Sequence, residues 1–120
     1  MQGTAETIVN DSNTAISMGS GSLPVFATPA MIALMEAAAC NAIESTLSAD
    51  ETSVGISIHA DHIAASSIGD SIKAVASISE KDGRIITFTI ECFAGDLKIG
   101  SCIHKRCVVN KEKFMARLAK

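Results

Sequence analysis

PAMIALMEAAACNAI, residues 29–43, is an apolar run of strong helix formers interrupted by one charge, Glu36. Thr28-Pro29 precedes it, which predicts a helix start with Thr28 as N-cap and Pro29 in the first helical position. The helix is expected to run to about Leu47 and to end in the polar segment SADETS. A run apolar nearly all round is covered on most sides rather than lying on a surface. A chain of 120 residues has little sheet with which to do that alone. A partner subunit, in a symmetric dimer, is therefore expected to complete the cover. A lone carboxylate in such a helix is costly unless a partner holds it or its pKa rises. By helical spacing Glu36 shares its face with Ile32, Cys40 and Ile43.

Four strand-like runs follow, at 53–65, 71–80, 84–93 and 97–109. The middle two are joined by Lys81-Asp82-Gly83, a hairpin signal, and Ala94-Gly95-Asp96 supplies the next turn. Upstream, residues 4–10 and 15–18 (TAETIVN and AISM) read as short strands around an Asn/Asp/Ser turn, and GSGSLP at 19–24 as a flexible loop. The tail from Asn110 is basic and expected to be helical at its end. One long apolar helix followed by an antiparallel meander predicts an α+β fold, a sheet wrapped around the helix, as a single domain over residues 1–120.

Composition excludes several functions. A net charge of −3 with no Trp or Tyr argues against a nucleic-acid partner. No apolar run approaches the ~18 residues that span a bilayer. The N-terminal MQGTAETIVNDS lacks the basic and apolar regions of a signal peptide, so a cytoplasmic location is expected. The four cysteines (Cys40, Cys92, Cys102, Cys107) form no CxxC pair and read as reduced, buried thiols. A metal set of Cys102, His104 and Cys107 fails because Cys107 falls on the opposite strand face, so no metal is expected.

Alternation in VGISIHADH places Val54, Ile56, Ile58, Ala60 and His62 on one face and Gly55, Ser57, His59 and Asp61 on the other. The apolar row should face the helix, with His62 as its polar end, and His59 should be exposed. Periodicity thus allows an inward Glu and an inward His in one small domain. Each also has a plain reading: Glu36 as half of an interface salt bridge, His62 as a satisfied core histidine.

VFATPAMIALMEAAACNAI, from Val25 to Ile43, resembles the segment leading into the central helix of hot dog fold proteins of the fluoroacetyl-CoA thioesterase family. That family has a hydroxyl residue at the helix start, a Glu eight residues on and a His 26 residues further, matching Thr28, Glu36 and His62. A Gly near the start of the next strand matches Gly55, and an Arg in the last strand matches Arg106 in IGSCIHKRCVV. The similarity runs from about Leu23 to Phe114. It implies catalytic roles for Thr28, Glu36 and His62, substrate binding by Gly55 and Arg106, and a homodimer with its site at the interface. The aromatic lid of the specialised enzymes is replaced here by Gly19-Ser20-Gly21-Ser22, which implies a broader acyl-CoA substrate.

The implied reaction is hydrolysis of an acyl-CoA, with CoA entering as part of the substrate and no separate cofactor. Glu36 would attack the thioester carbonyl or act as general base on water, and His62 would orient groups and protonate the thiolate. Two helical turns separate Thr28 from Glu36 by ~12 Å, so they cannot touch within one helix. Lys105, Arg106, Lys111, Lys113, Arg117 and Lys120 make a basic end that could meet CoA phosphates. The alternative is a hot dog dehydratase or a non-catalytic acyl-CoA binding protein.

Overall fold

The chain runs β1 (Gln2–Ile8), α1 (Ala15–Met18), α2 (Thr28–Ile43), a 3-10 turn (Glu44–Thr46), β2 (Glu51–His62), β3 (Ser71–Asp82), β4 (Ile85–Ala94), β5 (Leu97–Asn110) and α3 (Lys111–Leu118). This computed structural model describes residues 1–119, so Lys120 lies outside the described residues. The five strands form one antiparallel sheet in the order β1-β3-β4-β5-β2. It curls around α2, the α+β arrangement that the helix-then-meander pattern predicts.

Large apolar side chains on one helix face fill the space inside the curl. Met31, Leu34, Met35, Ala38, Ala39, Ala42 and Ile43 are buried against sheet residues that include Ile72, Phe88, Ile90 and Ile99. Alanines at 38, 39 and 42 let β1 come unusually close. A Cβ on Gly3 would run into the backbone of α2 at Ala42 N and Ala38 O, so only glycine fits there. Asn41 Nδ2 donates to Thr4 O at 2.8 Å and ties the same contact from the side. Along the opposite flank of α2, Pro29, Ala33, Ala37 and Asn41 remain exposed in the single chain. The sheet covers less of the helix than its composition implied.

Three local expectations are corrected. AISM is a helix and not a strand: Thr14 caps it, accepting from Ser17 N at 3.3 Å, while the Ser17 hydroxyl bonds back to the Thr14 backbone. Four residues of alternation are too few to compete with a closed capping box. Helix α2 begins one residue earlier than expected, with Ala27 as its N-cap and Thr28 already helical. It also ends at Ile43, where the Thr46 hydroxyl takes the Ile43 carbonyl at 2.7 Å and tightens the chain into the 3-10 turn.

Strand β2 lies at one end of the sheet order, so one of its edges has no partner within the chain. No described helix is long and apolar enough to cross a membrane.

Gly3→Ala is expected to destabilise the fold by about 1–3 kcal/mol, because the obstruction is backbone and cannot swing aside. Thermal unfolding should show a Tm lowered by about 5 °C or more. An unchanged Tm would mean that β1 and α2 separate without cost.

Candidate active site

Glu36 sits on the flank of α2, its side chain 42% exposed, so it is less buried than the surrounding apolar run implied. The cation that faces it comes from β5. Alternation along that strand turns Cys102, His104 and Arg106 inward and Ile103 and Lys105 outward. Arg106 Nη1 donates to Glu36 Oε2 at 3.3 Å. The rest of the guanidinium is anchored on β2, with Nε donating to Ser53 Oγ at 2.8 Å and Nη2 to Ser53 O at 3.0 Å. Arg106 is 7% exposed, and its donors are engaged inside the protein on Glu36 and Ser53.

His104 completes this cluster, and sequence reasoning gave it no part in the site. It is 1% exposed, lies against the Phe88 ring, and bonds Ser57 O through Nδ1 at 2.8 Å. Its Nε2 lies 3.2 Å from Arg106 Nη1. The signal was available: His104 is two residues before Arg106 and shares its face.

Gly55 is where the alternation argument failed. A bulge between Gly55 and Ser57 shifts the register of β2 against β5. Gly55 pairs with Arg106 and Ile58 with His104, both inward partners, so the face reverses across Ile56. Val54 therefore does not belong to the inward row, and Ile56 is 52% exposed. Gly55 points at the site: a Cβ there would lie 2.8 Å from Glu36 Oε2 and 3.3 Å from His104 Cε1. Glu36, Gly55, Ile56, Ser57, Ile58 and His104 enclose a small cleft of about 310 Å³.

His62 faces inward as expected, and His59 is exposed. The partner of His62 is Thr28, not Glu36, with Thr28 Oγ1 and His62 Nδ1 2.8 Å apart. Thr28 is thus no cap; its hydroxyl crosses from the first turn of α2 to the end of β2. The Phe26 ring packs edge-on against the imidazole at 6.4 Å. His62 Nε2 is buried with no partner among the described residues. This pair opens on a second cleft, about 260 Å³, also lined by Ser20 of the glycine-serine loop, Ile63 and Ala65. The chain therefore presents two side-chain clusters along one helix, Thr28–His62 and Glu36–Arg106–His104, ~12 Å apart along its axis.

Both histidines are held below their ordinary pKa. For His62 the cause is burial, opposed by a backbone hydrogen bond at Ala64. For His104 it is burial, with the Ser57 carbonyl raising, Arg106 lowering and Glu36 raising the value. Among the described residues no group of His, Cys, Asp or Glu is placed to hold a metal, and all four cysteines are free. Of the other basic residues of the tail, Lys113 and Arg117 border a groove beside α3 together with Arg84 from the β3–β4 turn, Asp50 and Glu51. Another concavity, about 780 Å³, is lined by β1, β3 and the β4 end of the sheet, with Glu6 and Lys73 as its charged groups.

The family model described as fluoroacetyl-CoA-specific thioesterase matches residues 9–112. The fluoroacetyl-CoA thioesterase of Streptantibioticus cattleyicolor is 35% identical over 94 residues, 78% of this chain and 68% of that protein. A solved fluoroacetyl-CoA thioesterase superposes with a TM-score of 0.90 at 31% identity, covering 98% of this chain and 92% of the other. A variant solved with fluoroacetate and CoA gives 0.90 at 30% identity, covering 96% and 94%. A thioesterase superfamily member from Thermus thermophilus shares the fold, with a TM-score of 0.90 at 24% identity over 98% of this chain and 88% of that one. Fold and relatives together define the class, a hot dog thioesterase that hydrolyses thioesters. Within that class the chain belongs to the fluoroacetyl-CoA-specific thioesterase family.

Gly55→Ala is expected to fold with a near-native Tm, because the atom it meets first is the mobile end of Glu36. Displacing that carboxylate from Arg106 should lower kcat/KM for thioester hydrolysis on the order of 10- to 100-fold. Wild-type rates in this variant would remove Gly55 from the site.

The depressed histidines also set a pH dependence. As pH falls from 7.5 towards 5, the unfolded chain, with ordinary histidine values near 6.5, takes up protons before the native one. Stability should therefore fall across that window, read as a declining Tm in scanning calorimetry. The decline should be shallower in His62→Gln; an equal slope would show that His62 titrates as a solvated histidine.

Proposed function

We propose that this protein hydrolyses a short-chain acyl-CoA to the free acid and CoA, at a composite site between two copies of the chain. The observation that carries this reading is the division of the site. The carboxylate and the Thr28–His62 pair project from the same helix, two turns apart, and each half lines only a small cleft. In an antiparallel strand pair the two residue numbers sum to a constant. Pairing the open edge of β2 with itself, centred near Ile58 and His59, sets Gly55 of one copy beside His62 of the partner subunit. The exposed row of small residues on α2 leaves room for a second chain to approach.

In that arrangement Glu36, held by Arg106, supplies an electron pair at the thioester. It goes either to the carbonyl carbon, forming a mixed anhydride that water then opens, or to the proton of an attacking water. The sum is the same in both cases: thioester and water give acid and thiol. Thr28 donates to His62 Nδ1, leaving the proton on Nε2, where it can be passed to the departing sulfur. CoA takes part as substrate, and the chemistry calls for no further cofactor. The loop at 19–22 places Ser20, with no aromatic ring, beside the Thr28–His62 cleft, which favours acyl groups beyond fluoroacetyl. Four free cysteines fit a reducing, cytoplasmic setting.

A thiol-release assay across acetyl-, fluoroacetyl-, propionyl-, butyryl- and hexanoyl-CoA tests the reading. Glu36→Ala is expected to lose on the order of 10³-fold in kcat, and His62→Ala or Thr28→Val on the order of 10- to 100-fold. Mixing Glu36→Ala with His62→Ala subunits should restore part of the activity if the site is shared between chains. Activity of Glu36→Ala equal to wild type, or hydration of an enoyl-CoA without thiol release, would overturn the assignment. Single turnover in ¹⁸O water tests the covalent route, since label in the Glu36 carboxylate arises only from an anhydride that water opens at the Glu36 carbonyl.

A further inference from the structure

His104 has no assigned role, yet its contacts fix its protonation state. Ser57 O is a carbonyl and can only accept, so His104 Nδ1, 2.8 Å away, must carry a proton. Arg106 Nη1 can only donate, and it lies 3.2 Å from His104 Nε2. Nε2 must therefore present its lone pair, and the ring is the neutral Nδ1–H tautomer. Glu36 Oε2 is 4.0 Å from Nε2, too far for a hydrogen bond, and Nη1 binds both groups. The two protons of Nη1 have two acceptors, one of them charged and mobile, the other buried and rigid.

We propose that His104 is a positioning residue for hydrolysis: its neutral imidazole fixes the direction of Arg106 Nη1 and thereby aims the Glu36 carboxylate into the cleft beneath Gly55. The inference rests on the reading of Glu36 as the reacting carboxylate. Without this acceptor, one Nη1 proton lacks its buried partner. The guanidinium is still anchored through Nε and Nη2 on Ser53, but its outer nitrogen is free to follow Glu36 towards solvent. A carboxylate that is 42% exposed has room to make that move. Burial supports the neutral form, since it disfavours charge on the imidazole.

Two substitutions separate positioning from core filling. His104→Asn keeps the donor towards Ser57 but has no acceptor long enough to reach Arg106, whereas His104→Gln places its amide oxygen near the Nε2 position. His104→Asn is expected to lose on the order of 10- to 100-fold in kcat while KM stays within about twofold. His104→Gln should recover kcat to within about threefold of wild type, whatever its Tm. A structural role alone would make activity follow Tm in both variants, and equal kcat in His104→Asn and wild type would overturn the proposal outright. The Glu36→Ala control keeps the two readings apart: if it remains active, the assignment of the site fails, and with it this inference. Nitrogen-15 NMR of the wild type supplies a readout independent of folding variants. The expected result is a neutral Nδ1–H ring at pH 7; an Nε2–H tautomer or an imidazolium would overturn the proposal even if His104→Asn does not fold.

Discussion

A carboxylate beside the buried face of a helix has to be compensated, and here the compensation comes from a single arginine on the far side of the domain's last strand. The Glu36–Arg106 contact joins α2 to β5, and the Ser53 anchors join β5 to β2. These three elements meet nowhere else through charged groups among the described contacts. The arginine is almost wholly buried while its partner is partly open to solvent, an asymmetry that matters energetically. Arg106 is held whether or not Glu36 stays in place, because Ser53 and His104 occupy its other donors. The carboxylate keeps one face towards the cleft while Arg106 compensates its charge.

The fold was legible because its two strongest signals are long and periodic. A sixteen-residue helix of apolar residues and four strands with turn residues between them leave few architectures open. The short elements were not legible in the same way. AISM alternates well enough for a strand, but the Thr14–Ser17 capping box decides the matter locally. Thr28 looked like a cap since Thr-Pro is a strong start signal. Its hydroxyl instead answers to His62, a contact set by tertiary packing 34 residues away in sequence.

The residues singled out from the sequence fall into two side-chain clusters whose pairings the sequence does not show. Thr28 and His62 form one cluster, and Glu36, Arg106 and Gly55 lie together in the other. Alternation places His62 inward correctly but puts Val54 and Gly55 on the wrong faces, because period-2 spacing assumes an unbroken strand. The bulge at Ile56 adds one residue and inverts the faces, and no residue type in VGISIHADH marks it. His104 was weighed only as a metal ligand. Alternation along β5 puts His104 on the same inward face as Arg106, so its place beside that residue is legible in the sequence.

That bulge has a consequence for how the family can vary. Upstream of it, β2 turns Gly55 towards Glu36; downstream, it turns the His62 imidazole towards Thr28. The two halves are out of phase by one residue, and the extra residue is what keeps them so. Substitutions along β2 can accumulate one at a time, but a change in its length between Gly55 and His62 would turn one half inside out. Length variation should therefore be confined to the loop before α2 and the tail after β5. Substrate preference then diverges at the mouth of the cleft while the spacing of the strand stays fixed.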